Sequence, residues 1–238
     1  EHIRDQLTLE YADMTDIHSL VRVLQKYQPD EVYNLAAQSH VGISFDQPVY
    51  TANATGISVL NLLEAVRLVS PKSKGYNICN NYKNSYKMFI CNGILFNHES
   101  PRRGTNFVTN KVAKEAVRIK KGLTNKLELG NLNASRDWGH AKDYVKVMWL
   151  MLQQDEPDNY ICATGVSHTI KDLCETVFSY LDMDWKDYVV TNKRYLRPEE
   201  LEHLKGDPSK SVEKLGWELE YDFEMMMKEM VDYWMEKL

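Results

Sequence analysis

Residues 31–37 read Glu-Val-Tyr-Asn-Leu-Ala-Ala, and this short run decides the fold class. It follows a Pro29-Asp30 stop and is mainly apolar, with small residues at its end, the pattern of a buried strand. Upstream, residues 7–11 (LTLEY) give a second, shorter strand signal. Between the two, Thr15 and Asp16 can cap a helix whose apolar positions Ile17, Leu20, Val21 and Leu24 recur at helical spacing. Downstream, residues 52–69 form a long helical stretch carrying Leu60, Leu63, Val66 and Leu68, broken by Ser70-Pro71. Residues 75–79 (GYNIC) and 88–96 (MFICNGILF) are expected to be further strands. The order β-α-β-α-β predicts an α/β protein built on a doubly wound parallel sheet.

Whole-chain properties bound the function. The 238 residues carry 43% hydrophobic and 26% charged residues and a net charge of −5, which excludes collagen-like, disordered and coiled-coil classes. An acidic chain without a basic tract argues against nucleic acid and membrane surfaces as partners. No apolar run approaches the ~18 residues of a membrane span. No leader opens the chain and it does not begin with Met, so its first residue is expected not to be the biological start. Cys79, Cys91, Cys162 and Cys174 form no C-x-x-C. They point to no metal site and to free thiols in a reducing compartment, with the cytoplasm as default. The eleven glycines are so spread that neither G-x-G-x-x-G nor a Walker loop exists in the sequence.

One stretch does not add up. Parallel neighbours need a crossover of roughly a dozen residues or more, and residues 80–87 (NNYKNSYK) are too few to join the strands at 75–79 and 88–96. A join across a missing segment accounts for this. Further on, helices are expected at 111–122, 143–154, 170–181 and 223–238, strands at 126–129 and 160–163, and a polar loop at 131–136. Met225, Met226, Met227 and Met230 read as gap-filling core.

Three segments carry chemistry. Residues 34–44 (NLAAQSHVGIS) place small side chains at a strand's carboxyl end, where open α/β sheets bind flat ligands. Residues 92–104 (NGILFNHESPRRG) gather Asn, His, Glu and two Arg, and residues 130–145 (GNLNASRDWGHAKDYV) add another Arg and His. With the Asn53-x-x-Gly56 helix, Phe107-Val108-Thr109, Arg197-Pro198 and Gly206-Asp207-Pro208, they resemble the extended short-chain dehydrogenase/reductase family. Within it they are most similar to the branch of lyases that dehydrates GDP-mannose. The resemblance covers nearly the whole chain.

It implies a Rossmann-like NADP-binding domain over residues 1–96 and a smaller α/β nucleotide-sugar domain over 97–238. Residues of about 131–165 would return to the first domain. NADP is the implied cofactor, GDP-mannose the substrate, and a homotetramer or homodimer the assembly. By motif match, Asp13 and Met14 would touch adenine, and Leu35, Ala36, Ala37, Gln38 and Ser39 would line the dinucleotide. Tyr50, His98 and Arg103 would add further cofactor contacts. Asn97, Arg136 and Arg197 would hold the sugar nucleotide's diphosphate, Val108 and Lys111 its base, and Glu200 its ribose or base. The resemblance also implies a glycine-rich loop before residue 1, and a catalytic Thr or Ser, Glu and Tyr-x-x-x-Lys between Asn80 and Asn81. Neither lies in this sequence, so these 238 residues alone are not expected to perform the chemistry. The Tyr233 to Lys237 match closes an amphipathic helix and is not expected to replace it.

Ordinary readings stand beside these. Asp13 suits a turn, His98 a strand end, Arg102-Arg103 a solvated pair, Arg197 a salt bridge with Glu199 or Glu200, and Asp143 a helix start. Alternative functions are another nucleotide-sugar dehydratase or reductase of the family, or a non-catalytic paralogue that binds NADP or a GDP-sugar.

Overall fold

The computed structural model describes residues 3–39, 41–69, 82–83, 85–196 and 201–238. They fall into two compact units, Glu1–Asn92 with Asp155–Asp158, and Gly93–Gln154 with Asn159–Leu238.

In the first unit, helix α1 (Ile17–Tyr27) starts where the sequence places a cap. The Asp16 carboxylate accepts the His18 N–H at 3.0 Å, and Gln28 ends the helix at φ 44°. Helices α2 (Val41–Asp46) and α3 (Pro48–Ala52) lead through a π-helical turn (Asn53–Ile57) into α4 (Ser58–Val69). Leu20, Leu24 and Ala65 form a small core, with Met14, Ile17, Leu62 and Val66 packed around them. The sequence treats residues 52–69 as one regular helix, whereas the π turn interrupts it.

Two expected strands are corrected. Residues 7–11 and 31–37 belong to no strand or helix among the described residues. Leu9 is 84% exposed and Leu35 66%. A strand needs a neighbouring strand to take its N–H and C=O groups, and no strand among the described residues pairs with either stretch. Residues 75–79 lie outside the described residues. The long 88–96 strand shrinks to β1 (Asn92–Leu95).

The second unit holds the sheets. Strand β1 pairs with β5 (Asn159–Cys162). Strand β4 (Ser135–His140) is flanked by β2 (Asn97–Glu99) and β8 (His203–Leu204), both parallel, and by β6 (Ser167–Thr169), antiparallel. Strand β3 (Leu127–Leu129) pairs in parallel with β7 (Val189–Thr191). Helices α5 (Val108–Lys120), α7 (Ile170–Tyr180) and α9 (Phe223–Lys237) enclose one core with Leu127, Leu129 and Trp138. Helices α6 (Ala141–Leu152) and α8 (Ser209–Leu215) complete the unit. Met226, Met227 and Met230 are fully buried as expected, while Met225 is 49% exposed. Cys162 and Cys174 are buried free thiols, pushed up to about 12 by burial, and Cys91 is half-buried.

Several boundaries shift, among them that of the helix expected at 143–154, which runs over Ala141–Leu152. The loop expected at 131–136 ends early, because Ser135 and Arg136 already belong to β4. Helix α5 begins at Val108 rather than at 111, so Val108 and Lys111 stand in its first turn.

Candidate functional site

Each unit presents its own set of candidate residues. In the first, Asp13 sits just before α1. Its carboxylate accepts the Thr15 N–H at 2.8 Å and the Thr15 hydroxyl at 2.7 Å, and these bonds hold it below the usual carboxylate range. It therefore makes the turn that its residue type suggests. Met14 leans into the small core, and its carbonyl accepts the Asn61 amide at 3.1 Å. Leu35, Ala36, Ala37 and Ser39 are exposed, and the Gln38 N–H donates to the Thr55 hydroxyl at 3.1 Å. Helix α4 and the π turn before it thus tie down both segments. Rare π turns recur at functional sites, and a Cβ added at Gly56 in this one would meet open space. Tyr50 is 54% exposed on α3.

In the second unit, β2 and β4 carry the candidates side by side. Asn97 lies opposite Trp138, His98 opposite Gly139 and Glu99 opposite His140. The Asn97 amide donates to the Asp137 carbonyl at 3.3 Å. The Nδ1 of His98 lies 2.9 Å from the Phe96 carbonyl, which can only accept, so Nδ1 carries the proton and Nε2 is an acceptor. The imidazole stacks on Tyr144 at 5.1 Å. Burial, reinforced by the Arg103 charge, holds His98 below the usual histidine range. Arg103 lies with its guanidinium 3.5 Å from the Phe107 ring centre and its Nε 3.4 Å from the Glu99 carboxylate.

The remaining candidates are fixed by backbone acceptors. Arg136 donates to the carbonyls of Ser135 at 2.8 Å and Leu201 at 2.6 Å. The Lys111 ammonium donates to the Glu128 carbonyl at 2.6 Å and covers the Tyr195 ring at 3.9 Å. Val108 packs against the main core. Arg197 and Glu200 lie outside the described residues.

Several residues outside the sequence-derived set hold this framework. The buried Asp137 carboxylate accepts the Thr164 hydroxyl at 2.7 Å and the N–H groups of Thr164, Gly165 and Gly206 at 2.8, 3.0 and 3.2 Å. The Gly206-Asp207-Pro208 motif gains its reason here, since a Cβ at Gly206 would sit 2.2 Å from that of Ala163. Asp143 is structural, as its helix-start position suggests, accepting the N–H groups of Glu220 and Tyr221 at 3.1 and 3.2 Å. Buried His140 bonds Glu229 at 2.6 Å and stacks on Tyr221 at 3.9 Å. The Lys237 ammonium bonds the Tyr233 hydroxyl at 2.7 Å on the exposed end of α9.

A cavity of about 570 Å³ opens at the carboxyl ends of the parallel strands β3 and β7. Gly130, Asn131, Leu132, Asn133, Lys171, Trp185, Thr191 and Leu196 line it. Ligands of α/β sheets gather at such ends. None of the sequence-derived candidates lines this cavity, although Lys111 grips Tyr195 beside it. The polar run Gly130–Asn133 after a strand was its signal in the sequence. Trp185 and Thr191 carried none.

Parallel strand pairs wrapped by helices place the chain in the Rossmann-like α/β class. Solved structures agree on the fold. RMD from Pseudomonas aeruginosa, complexed with NADPH, matches 98% of this chain and 90% of its own at TM-score 0.84 and 21% identity. The UDP-glucose 4-epimerase of Thermotoga maritima matches 98% and 87% at TM-score 0.82 and 21% identity. Sequence comparison narrows this further. The family model for GDP-mannose 4,6 dehydratase matches residues 1–75 and 70–230. GDP-mannose 4,6 dehydratase 2 of Arabidopsis thaliana is 46% identical over 265 residues, covering 95% of this chain and 71% of the relative. The Vibrio cholerae and Homo sapiens enzymes are 40% and 38% identical, covering 94% and 97% of this chain and 77% of each relative. The chain belongs to the GDP-mannose 4,6-dehydratase family.

The alignments bear on the short crossover. An alignment of 265 residues that takes in 95% of a 238-residue chain gives the relative residues with no counterpart here. The two stretches of the family match meet at residues 70–75, just before the join that the sequence suggests.

Proposed function

We propose that this protein is the nucleotide-binding framework of a lyase that dehydrates GDP-mannose to GDP-4-keto-6-deoxy-mannose, with NADP as internal hydride carrier. The observation that carries this reading is family membership over nearly the whole chain, together with Asn97 and His98 on β2 beside β4, which carries Arg136.

The residues present fit parts of a pyridine dinucleotide. Ala36, Ala37 and the open face at Gly56 leave room for a flat ring. His98 offers an acceptor for an amide or hydroxyl, and Arg103 a cation for a phosphate. The glycine loop that would cradle the pyrophosphate is not in the sequence. NADP held by these residues would supply a reversible hydride acceptor for the sugar.

The chain's own residues bind and orient. Asn97 and Arg136 are held by backbone carbonyls, so their directions are fixed before a diphosphate arrives. Lys111 and Val108 stand in the first turn of α5 to meet the base. Arg197 and Glu200 complete the substrate contacts by motif alone. Proton removal from the 4-hydroxyl and C5, and departure of water from C6, need a Tyr, a Lys and a Glu. The family resemblance puts those outside these residues, and no group of this chain is proposed for them. Tyr233 and Lys237 bond each other at an exposed helix end. The reading extends to a homotetramer or homodimer in the cytoplasm. No helix among the described residues is long and apolar enough to cross a membrane.

The test is incubation with GDP-mannose and NADP+ beside an intact-mass measurement. A 4-keto product with one water lost, from a protein heavier than 27.7 kDa, supports the dehydratase. The short crossover at residues 80–87 favours a second reading, a paralogue that binds GDP-mannose without converting it. A mass of 27.7 kDa with binding and no product would select it.

A further inference from the structure

We propose that Glu99 is a positioning residue whose buried carboxylate seats the Arg103 guanidinium, so that the open edge of that fork meets a phosphate of the dinucleotide. This rests on the cofactor reading above.

Glu99 ends β2 directly after His98 and is 2% exposed. From there the chain doubles back, with Arg103 N–H donating to the Ser100 carbonyl at 2.9 Å and Phe107 N–H to the Gly104 carbonyl at 3.1 Å. Two contacts close this loop onto the Glu99 carboxylate. The Thr109 hydroxyl donates to it at 2.5 Å, and the Arg103 Nε stands 3.4 Å away. Asn110 braces the same loop, its amide donating to the Arg103 carbonyl while its own carbonyl accepts the Trp234 indole N–H at 2.6 Å.

The guanidinium is therefore held on two sides. Phe107 covers one face and Glu99 faces the buried Nε, which makes no hydrogen bond among the described residues. Glu99 is its single ionic partner among the described residues. The side chain keeps 21% exposure, so the Nη edge is what remains to meet a ligand. That planar fork matches phosphate oxygens in a way an ammonium does not.

A buried carboxylate with one cation and one hydroxyl for company is costly to keep. A glutamine would accept the Thr109 hydrogen bond equally well and carry no charge. What the carboxylate adds is electrostatic hold on Arg103.

The experiment is a double-mutant cycle on the dissociation constant for NADP+, measured by calorimetry with E99Q, R103A and the pair. Loss of a charge-assisted contact predicts about tenfold weaker binding for R103A. E99Q is expected to lose several-fold, with melting no lower than that of the parent protein. The pair is expected to bind no more weakly than R103A alone. E99D keeps the charge one methylene further away and stays readable if E99Q does not fold. It weakens binding in the parent background and not beside R103A. Parent-like binding by both Glu99 variants, or losses that multiply in the pair, would overturn the proposal while leaving the cofactor reading intact. A parent protein that binds no NADP+ would overturn both.

Discussion

Residues 7–11 (LTLEY) and 126–129 (KLEL) are nearly the same message, leucines alternating with polar groups, and they meet opposite fates. In the second unit, Leu127 and Leu129 are 1% and 3% exposed, because Val189–Thr191 lies alongside in parallel register and α5 and α7 close over them. In the first unit, Leu7 and Leu9 are 56% and 84% exposed, with no strand beside them among the described residues. Alternation states which face a strand would bury. Only a partner makes it a strand, and parallel partners come from distant sequence. All five tryptophans (Trp138, Trp149, Trp185, Trp217 and Trp234) lie in the second unit, so their fluorescence reports that unit's folding alone.

The largest expected effect comes from cutting what knits the second unit. Asp137→Ala strands three backbone N–H groups and a hydroxyl. It should cost at least about 3 kcal/mol, read as an earlier tryptophan unfolding transition in urea. Next comes a paired substitution that tests the contrast itself. Leu127→Ala should cost about 2–5 kcal/mol, whereas Leu9→Ala should stay within about 0.5 kcal/mol. Similar losses at both sites would mean that residues 7–11 are buried after all.

The two units should also answer pH with opposite sign. Arg67 and Tyr82 pull the Glu64 carboxyl down to about 2, against burial. Its contribution is present above the ordinary carboxylate value of 4.5 and is lost as pH falls from there toward 2. Burial raises Glu99 instead, so its contribution is complete below 4.5 and fades as pH rises through its folded value. Between pH 5 and 3, hydrogen exchange should quicken around α4 relative to the second unit. E99Q should remove the opposing trend from tryptophan-detected stability. The smallest effect is expected at Tyr144, whose fully buried hydroxyl has no hydrogen-bond partner among the described residues. Tyr144→Phe should be neutral or stabilising by up to about 1 kcal/mol, seen as an unchanged or slightly raised melting temperature.

What the sequence disclosed divides along the same line. Helices were legible from local information, since Asp16 caps α1 and the Thr169–Asp172 capping box opens α7. Strands were legible where an apolar pattern met a partner, as at Leu127–Leu129 and Asn159–Cys162. They were illegible where charge masked burial. Ser135 and Arg136 read as the end of a polar loop, yet they open β4, whose Asp137 and His140 are 0% and 1% exposed because loop N–H groups and Glu229 satisfy them. Candidate residues were visible through motif type. The cavity past β3 and β7 was not, because Trp185 and Thr191 join Gly130–Asn133 only through tertiary pairing. Glu99 stood in plain view between His98 and Arg103, but its burial could not be read from its neighbours.

The central claim is that the second unit is ready to take a GDP-sugar. The direct measurement is a titration of the purified protein with GDP-mannose, followed by tryptophan fluorescence, with UDP-glucose as the control. A saturable change with GDP-mannose and a much weaker one with UDP-glucose is the predicted result. No saturable change, or equal response to both nucleotides, would contradict it.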